Sequence, residues 1–216
     1  MLAKLLSMEN QEVGRRERKK QQTRQLISDV ATGLFMERGF DQVTVAEVAK
    51  AADVAVQTVF NHFPTKEDLL FDEDAWWLGP VRAIREADPG AGVIEVLEQY
   101  YLDELRMRLR SEHLVTWKAF ARTIEESPAL LARRRKNAEE MEVLMVQALQ
   151  DRYPQLDPLG ARVIAAQYQA AQKVLEAEFA RVLPEQPQAS HVARYEEAME
   201  EAADVVFGAL KHGWRG

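Results

Sequence analysis

The chain has 216 residues, of which 47% are hydrophobic, and a formal net charge of −7 at pH 7. This length and composition suit one large or two small domains with a substantial core. No apolar run approaches the roughly 18 residues needed to cross a bilayer, and the lack of cysteine excludes disulfides and thiolate metal sites.

The N-terminal segment carries the positive charge of an otherwise acidic protein. Residues 1–66 have a balance of +2, whereas residues 67–216 have a balance of −9. We expect residues 1–14 to form a disordered tail. The basic run after them is either a solvated tail or an arm that lies along phosphates or in a minor groove. Its members are Arg15, Arg16, Arg18, Lys19, Lys20 and Arg24.

Two short helices joined by a tight turn are predicted next. Thr44 is a good N-cap and Glu47 completes a capping box, so the first helix should begin at Val45. It should end near Ala52. A second helix should run from Val56 to His62, because Pro64 prevents its continuation. A short helix with a polar outer side, supported by another helix, is the form that enters the DNA major groove.

The outer side of the second short helix supplies the candidate DNA contacts. We expect Gln57, Thr58 and Asn61 to reach base edges, with Val56 and Phe60 beside them. Phosphate contacts are expected from the basic run, which then acts as an arm. The remaining expected phosphate contacts are Thr44, His62 and Lys66.

Residues 15 to 72 resemble the DNA-binding half of the TetR (tetracycline-repressor) family. Thr23 to Phe40 looks like the first helix of that family, and His62 to Leu70 looks like the start of its fourth. Two positions depart from the family pattern. Asp53 stands in the turn where the family usually has glycine, and Asp tolerates the left-handed region better than most residues. Phe60 stands where the family usually has tyrosine, which removes one hydroxyl contact to phosphate.

The rest of the chain shows helical periodicity and no strand-period segment. A helix should begin at Thr65–Lys66, run through Trp76 and Trp77, and bend at Gly79-Pro80. Further helices are expected at about 93–110, 113–125, 128–152, 158–183 and 190–211, and most are bounded by proline or a capping residue.

The last two helices have surplus apolar surface. The final helix places a heptad seam on one side, and the helix before it is apolar around most of its circumference. This pattern indicates either an intramolecular antiparallel pair or a four-helix interface between two copies. We favour the dimer, because a two-fold DNA reader needs two copies. The candidate interface residues are Ala166, Ala170, Val174, Tyr195, Met199, Ala202 and Val206.

The middle helices carry aromatic and methionine side chains that either pack as an ordinary core or line a cavity for a small apolar effector. The family resemblance favours the cavity. The candidate ligand-binding residues are Trp76, Trp77, Tyr100, Tyr101, Met107, Trp117, Phe120, Met141, Met145, Tyr168 and Gln172. Gln167, Gln172 and Trp117 are the expected partners of the effector's polar groups.

The sequence therefore predicts an all-α protein of about nine helices. Residues 15–65 form a three-helix DNA-binding unit with a helix-turn-helix, and residues 66–216 form a helical ligand-binding and dimerisation domain. We expect a cytoplasmic homodimeric repressor that a small apolar effector releases from a palindromic double-stranded operator. The alternatives are a regulator without a ligand, acting constitutively or through a protein partner, and an enzyme on a helical scaffold. No metal site, cofactor or catalytic residue is predicted, since no histidine pair, phosphate loop or nucleophile elbow is present.

Overall fold

The computed structural model describes residues 2–71, 78–88, 90–110, 114–184 and 186–212, except for the side chains of residues 2–15, 115, 116 and 189. These residues form nine α-helices and three short 3-10 turns, with no strand, so the prediction of an all-α fold is confirmed. The helices are α1 (Leu2–Arg38), α2 (Val45–Ala51), α3 (Val56–His62), α4 (Gly79–Glu86), α5 (Val93–Arg110), α6 (Leu114–Glu125), α7 (Pro128–Arg152), α8 (Pro158–Val182) and α9 (Val192–His212). None of the described helices is long and apolar enough to cross a membrane.

The chain divides into two compact units. The first comprises Met1–Asp72 together with Arg122–Leu130, and the second comprises Glu73–Ala121 and Leu131–Gly216. The predicted division between residues 65 and 66 followed the order of the chain and did not place 122–130 with the first unit. A hydrogen bond explains part of that grouping, because Ser127 Oγ donates to Asp41 Oδ1 at 3.0 Å.

Helix α1 is longer than the sequence analysis expected. It covers Leu2–Arg38, so residues 1–14, for which we predicted a disordered tail, are helical from Leu2 onward. The physical reason lies in composition: the segment is rich in Leu, Met, Lys, Glu, Gln and Arg, lacks proline, and has Gly14 as its sole glycine before residue 33. The predicted basic arm is therefore part of a helix.

Helix α2 begins with the predicted capping box. The Glu47 backbone N–H donates to Thr44 Oγ1 at 3.2 Å, and Glu47 Oε2 accepts from the Thr44 backbone N–H at 2.8 Å. Arg38 adds a bond of 2.7 Å to the other carboxylate oxygen. These bonds, led by the one from the Thr44 backbone, lower the pKa of Glu47 from 4.5 to about 2.

The turn between α2 and α3 uses the left-handed backbone region. Asp53 has φ 53°, and it is the one residue other than glycine with positive φ in the part of the chain that is described. The prediction that Asp can replace glycine here is confirmed. The turn carries the chain directly from α2 into α3, which begins at Val56 as predicted.

The first unit has a small core that all three of its helices share. Ile27 and Phe35 from α1, Val48 from α2, and Val59 and Phe63 from α3 and its end are all at most 1% exposed. Because α2 and α3 have seven residues each, neither would be stable alone in water. Their positions therefore depend on this shared core.

The predicted helix from Thr65 differs in the structure. Thr65 and Asp68 form the expected reciprocal bonds, of 2.9 and 3.3 Å. The chain forms a 3-10 turn at Glu67–Leu69, where the first turn of the helix was predicted, and residues 72–77, through which that helix was predicted to run, lie outside the described part. The predicted bend at Gly79-Pro80 is the start of α4, where proline fits the first helical turn because it needs no hydrogen-bond donor there.

In the second unit, α9 packs against α5 and α8. Tyr168 and Leu175 of α8 and Met199 and Phe207 of α9 are at most 1% exposed in the resulting core. Ion pairs join α5 to α9 at both ends of this contact. Lys211 contacts Glu98 at 2.5 Å at one end, and Arg106 contacts Glu196 and Glu200 at 3.3 and 2.5 Å at the other.

We predict that Glu47→Gln weakens the protein in a pH-dependent way. A carboxylate whose pKa is lowered on folding stabilises the fold above its ordinary value of 4.5 and loses this effect as pH falls through about 2. The variant should therefore be less stable than the parent at neutral pH, and the difference should shrink as the solution is acidified below 4.5. Urea unfolding followed by circular dichroism across this range would measure it. Glu37→Gln, at an exposed position of α1, controls for charge removal, and a parallel pH profile for the two variants would contradict the prediction.

Candidate DNA-binding interface and sites in the second unit

The outer face of α3 carries one row of polar side chains and, next to it, one row of apolar side chains. Gln57 and Asn61 are exposed, and Val56 and Phe60 remain 41% and 44% exposed despite being apolar. Val59, on the opposite side, is 1% exposed. The helix thus buries one residue row in the unit's core and presents the predicted base-contacting side chains on its surface, with Thr58 half-buried at the edge.

The two amides on this face bind each other. Gln57 Nε2 donates to Asn61 Oδ1 at 3.1 Å, a distance within the range of an ordinary hydrogen bond. The residues are four apart on a helix, which places their side chains side by side. The bond holds both amides in one arrangement on the exposed surface.

Lys66, predicted to contact phosphate, is used inside the unit. Its Nζ donates to the carbonyl oxygen of Phe40 at 2.7 Å. The same atom lies 4.1 Å from the centre of the Phe40 ring and 5.8 Å from that of Phe35. Partial burial lowers the pKa of this ammonium, although the carboxylates of Asp41 and Glu67 oppose the shift. Through these contacts, Lys66 stabilises the turn that follows α1 at Phe40.

Arg24 has a similar position at the end of α3. Its Nη1 donates to the carbonyl oxygen of His62, and its guanidinium carbon lies 4.4 Å from the centre of the Phe63 ring. A cation that binds the last carbonyls of a helix also opposes the negative end of the helix dipole. Thr44 is likewise engaged, since its hydroxyl both donates to and accepts from Glu47.

The other predicted phosphate contacts are exposed cations of α1. Arg16, Arg18 and Lys19 are exposed on the helix, whereas the side chain of Arg15 lies outside the described part. Of the predicted phosphate contacts, Arg16, Arg18 and Lys19 thus lie on the surface, and Arg24, Thr44 and Lys66 have the contacts described above. His62 is half-buried, with its ring centre 6.3 Å from that of Phe63.

The first unit matches the family model for bacterial regulatory proteins of the tetR family over residues 27–72. The chain is also 28% identical over 181 residues to the HTH-type transcriptional regulator TcmR of Streptomyces glaucescens, covering 77% of this chain and 76% of that protein. The first unit therefore contains the DNA-binding domain of the TetR family. The relatives that the chain matches are transcriptional regulators rather than enzymes.

One further relative is similar in sequence, and two solved structures are similar in fold. The HTH-type transcriptional repressor KstR of Rhodococcus jostii is 29% identical over 144 residues, covering 66% of this chain and 67% of that protein. The crystal structure of NalD, the secondary repressor of the MexAB-OprM multidrug efflux pump in Pseudomonas aeruginosa, shares the fold with a TM-score of 0.52 at 16% identity, covering 90% of this chain and 97% of that one. A putative transcriptional regulator from Pseudomonas aeruginosa PAO1 does so with a TM-score of 0.53 at 18% identity, covering 90% and 95%.

Several predicted ligand-binding residues meet in the core of the second unit. Tyr168 is fully buried, and its hydroxyl accepts a hydrogen bond of 2.5 Å from Gln172 Nε2. Burial raises the pKa of Tyr100 and of Tyr101 to about 12 and raises that of Tyr168 further. The three phenols are therefore neutral hydrogen-bonding groups. Met141, Met145 and Tyr168 belong to one buried cluster, against which Tyr101 and Trp117 pack.

A glycine makes room for one of these phenols. The Tyr100 hydroxyl lies where a Cβ atom at Gly79 would be, at 1.9 Å from that position. Any side chain at this point of α4 would displace the tyrosine. Gly79, which the sequence analysis interpreted as a bend, therefore allows the close approach of α4 to α5.

Other predicted ligand-binding residues are placed elsewhere. Met107 is 60% exposed, because it is two residues from the buried Leu105 and Leu109 and so points away from the core. Gln167, a predicted polar partner, is also exposed. Phe120 is half-buried on α6, and Trp76 and Trp77 lie outside the described residues.

Arg108 was not among the residues predicted from the sequence. Its charge acts on Tyr100, Tyr101 and Tyr168, and it lies 4.0 Å from Glu104. A signal was present, because Tyr100, Glu104 and Arg108 follow each other at intervals of four residues and so share one side of α5. This charged pair gives the phenol cluster a polar edge.

The predicted dimer residues separate into two groups. On α8, Ala166 and Ala170 are exposed and Val174 is 56% exposed. On α9, Tyr195 is 6% exposed and Met199 is fully buried in the core of the same chain. These two residues therefore pack within their own chain, and their assignment to a dimer interface stays a prediction.

The half-buried Ala202 and Val206 also pack against that core. The heptad seam of α9 therefore serves the contact with α5 and α8 of its own chain. A heptad seam indicates that another helix packs against it, but not whether that helix belongs to the same chain. The sequence was therefore compatible with both an intramolecular pair and an interface between two copies.

We predict that Lys66→Met destabilises the fold and leaves the salt dependence of DNA binding unchanged. Loss of the charged donor leaves the Phe40 carbonyl without this bond and should lower the free energy of unfolding by about 1.5–3 kcal/mol. Lys19→Met, at an exposed position, should leave stability within about 0.5 kcal/mol. If Lys19 neutralises one phosphate, its loss should reduce the slope of log K against log salt by about 0.9.

Fluorescence anisotropy with a duplex of random sequence would give both slopes, because this component of binding does not depend on sequence. Urea unfolding would give both stabilities. The prediction would be contradicted if Lys66→Met had normal stability and a reduced slope of log K against log salt. That result would support the phosphate contact predicted from the sequence.

Proposed function

We propose that this protein is a homodimeric TetR-family repressor that binds a palindromic operator in the cytoplasm and leaves it when a small apolar effector occupies the second unit. The observation that carries DNA binding is the exposed face of α3, where Gln57 and Asn61 stand on a helix that the core of the unit holds in place. Members of the family bind operator DNA as dimers. Base-reading side chains on a supported helix are the form that the major groove admits.

An apolar row on α8 supports the dimer. Leu159, Val163 and Val174 are 66%, 45% and 56% exposed, and Ala166 and Ala170 lie between them. Their spacing places all five on one side of the helix. Exposed apolar rows of this kind mark protein contacts, and a second copy of the chain suits a reader of two symmetric half-sites.

We expect charge in this row to separate the dimer. Val163→Glu with Val174→Glu should yield a folded monomer, because both side chains are exposed within the protomer. Operator affinity should fall sharply, since one half-site supplies part of the contact energy. The seam of α9 is a poorer choice for this test, because charge at Ala202 or Val206 would enter the core of the chain itself.

Sedimentation velocity would measure the assembly state. Val143→Glu, at a position on α7 that is 68% exposed, is the matched control and should leave the dimer unchanged. An intact dimer in the α8 double variant would place the interface elsewhere.

The effector site rests on the chemistry of the second unit. Its aromatic and methionine cluster is largely apolar, and its hydrogen-bonding groups include the phenols of Tyr101 and Tyr168, the indole of Trp117 and the amide of Gln172, with the phenol of Tyr100 nearby. A largely apolar molecule with one or two polar groups fits such a lining. Because raised pKa values keep the phenols neutral, they would bind those groups by hydrogen bonds.

One observation favours the alternative of a regulator without a ligand. Met145 and Tyr168 have no exposed surface, and the Tyr168 hydroxyl already has Gln172 as its partner. An effector would have to displace packed side chains to reach them. A regulator that acts constitutively, or through a protein partner, would need no such rearrangement.

A titration distinguishes the two functions. Metabolites that raise the melting temperature of the purified protein would be found first and then titrated into the protein with and without operator DNA. An effector that releases DNA should bind about 5- to 150-fold more weakly in the operator complex, because coupling between two sites is reciprocal. Tyr168→Phe, which removes one hydroxyl, should weaken the effector in both titrations. Equal affinity with and without DNA would favour the ligand-free regulator.

A further inference from the structure

The exposed surface of α3 has a pattern that base recognition can use. Gln57 and Asn61 form one row of side chains four residues apart, and Val56 and Phe60 form a second row beside it. Helical geometry sets adjacent residues about 100° apart around the axis. The helix therefore presents an amide row next to an apolar row on one narrow surface.

The hydrogen bond within the amide row determines what it can bind. With Gln57 Nε2 bonded to Asn61 Oδ1, the two atoms outside that bond are Gln57 Oε1, an acceptor, and Asn61 Nδ2, a donor. If both amides were turned, the bond would run the other way, and the two remaining atoms would again be one acceptor and one donor. The pair therefore offers the same complementary set in either orientation.

One base edge matches this set. In the major groove adenine presents the N6 amino donor beside the N7 acceptor, whereas guanine presents two acceptors, cytosine a donor and thymine an acceptor. Guanine would place its O6 against the Gln57 oxygen, so two acceptors would face each other. The thymine that pairs with adenine carries a C5 methyl group in the same groove, where an apolar side chain can contact it.

We propose that Gln57 and Asn61 read one adenine jointly and that Val56 and Phe60 contact the methyl group of thymine beside it. This inference rests on the proposed function, since it requires α3 to enter the major groove of the operator. It makes the two amides one recognition unit for an A·T pair, in place of two independent readers. It also gives a role to two large apolar side chains that remain 41% and 44% exposed.

The surroundings of α3 keep this unit in position. Val59 and Phe63 are buried in the core, and Arg24 binds the His62 carbonyl oxygen at the end of the helix. The backbone that carries both rows is thus fixed before DNA arrives. Removal of either amide takes away one contact to the base and also the partner that orients the other amide.

The first experiment determines whether the amides act on the same base pair. The full-length protein would select sequences from a library of random duplexes, and each position of the recovered half-site would be changed to the other three pairs. Gln57→Ala and Asn61→Ala should each abolish the preference for A·T at one shared position. In each variant the ratio of affinities for A·T and the other pairs at that position should fall by about 5- to 150-fold. The double variant should lose little more than either single one, because coupled residues are not additive.

The second experiment tests the apolar row. Replacing thymine by uracil at the shared position removes the methyl group and leaves the pairing intact. The parent protein should bind this duplex about fourfold more weakly, as expected for loss of one buried apolar carbon. A Val56→Ala, Phe60→Ala double variant should bind the two duplexes equally. Uracil outside the half-sites is the matched control and should have no effect.

The outcomes separate this inference from the function on which it rests. Loss of preference at two different positions with additive costs would overturn joint reading, as would a preferred G·C pair at the shared position. Full affinity for the uracil duplex would overturn the contact to the methyl group. If the unmodified protein selected no sequence at all, the proposed function would fail, and this inference with it.

Discussion

The seven residues of α3 cannot form a stable helix in water by themselves, so everything that this helix does depends on the contacts that hold it. Val59 and Phe63 supply apolar contacts to the core, and Arg24 supplies a charged donor and a ring contact at the C-terminal end. This support comes from one row of the helix and from its C-terminal end. The side chains on the opposite, exposed row lie outside these contacts. They are available for recognition.

The same arrangement explains why cations near the recognition helix differ in role. Lys66 and Arg24 each place a charge over an aromatic ring and a donor on a backbone carbonyl. Contacts of this kind replace water around a partly buried charge. A cation count therefore overstates the number of phosphates that this surface could bind, because Lys66 and Arg24 are engaged within the unit.

Local signals made much of the fold predictable from the sequence. The Thr44 capping box, the left-handed turn at Asp53 and the helix starts at Pro128 and Pro158 depend on neighbouring residues, and the structure confirms each. The face of α3 that is exposed followed from periodicity alone. Residues 1–14 are a point of difference, because a disordered tail was predicted there and helix α1 extends from Leu2.

Features that depend on distant residues could not be predicted in this way. Nothing near Lys66 in the sequence indicates that its ammonium reaches Phe40, and the heptad seam of α9 does not say whether α5 and α8 or a second chain will cover it. Likewise, the spacing that places Arg108 with the tyrosines was visible, but its meaning requires knowing that α8 brings Tyr168 to the same place. Tertiary contacts decide the role of each of these residues.

The hydrogen bond between Gln57 and Asn61 also has an evolutionary consequence. A mutation at either position leaves the other amide without its partner. If the pair reads DNA as proposed, the first substitution weakens binding to the old sequence before a second one can create binding to a new sequence. A change of DNA preference then requires two substitutions, whereas a side chain that reads a base by itself would require one. Lineages that inherit this pair should keep or lose both amides together, and the DNA sequences they control should change in jumps rather than by gradual drift.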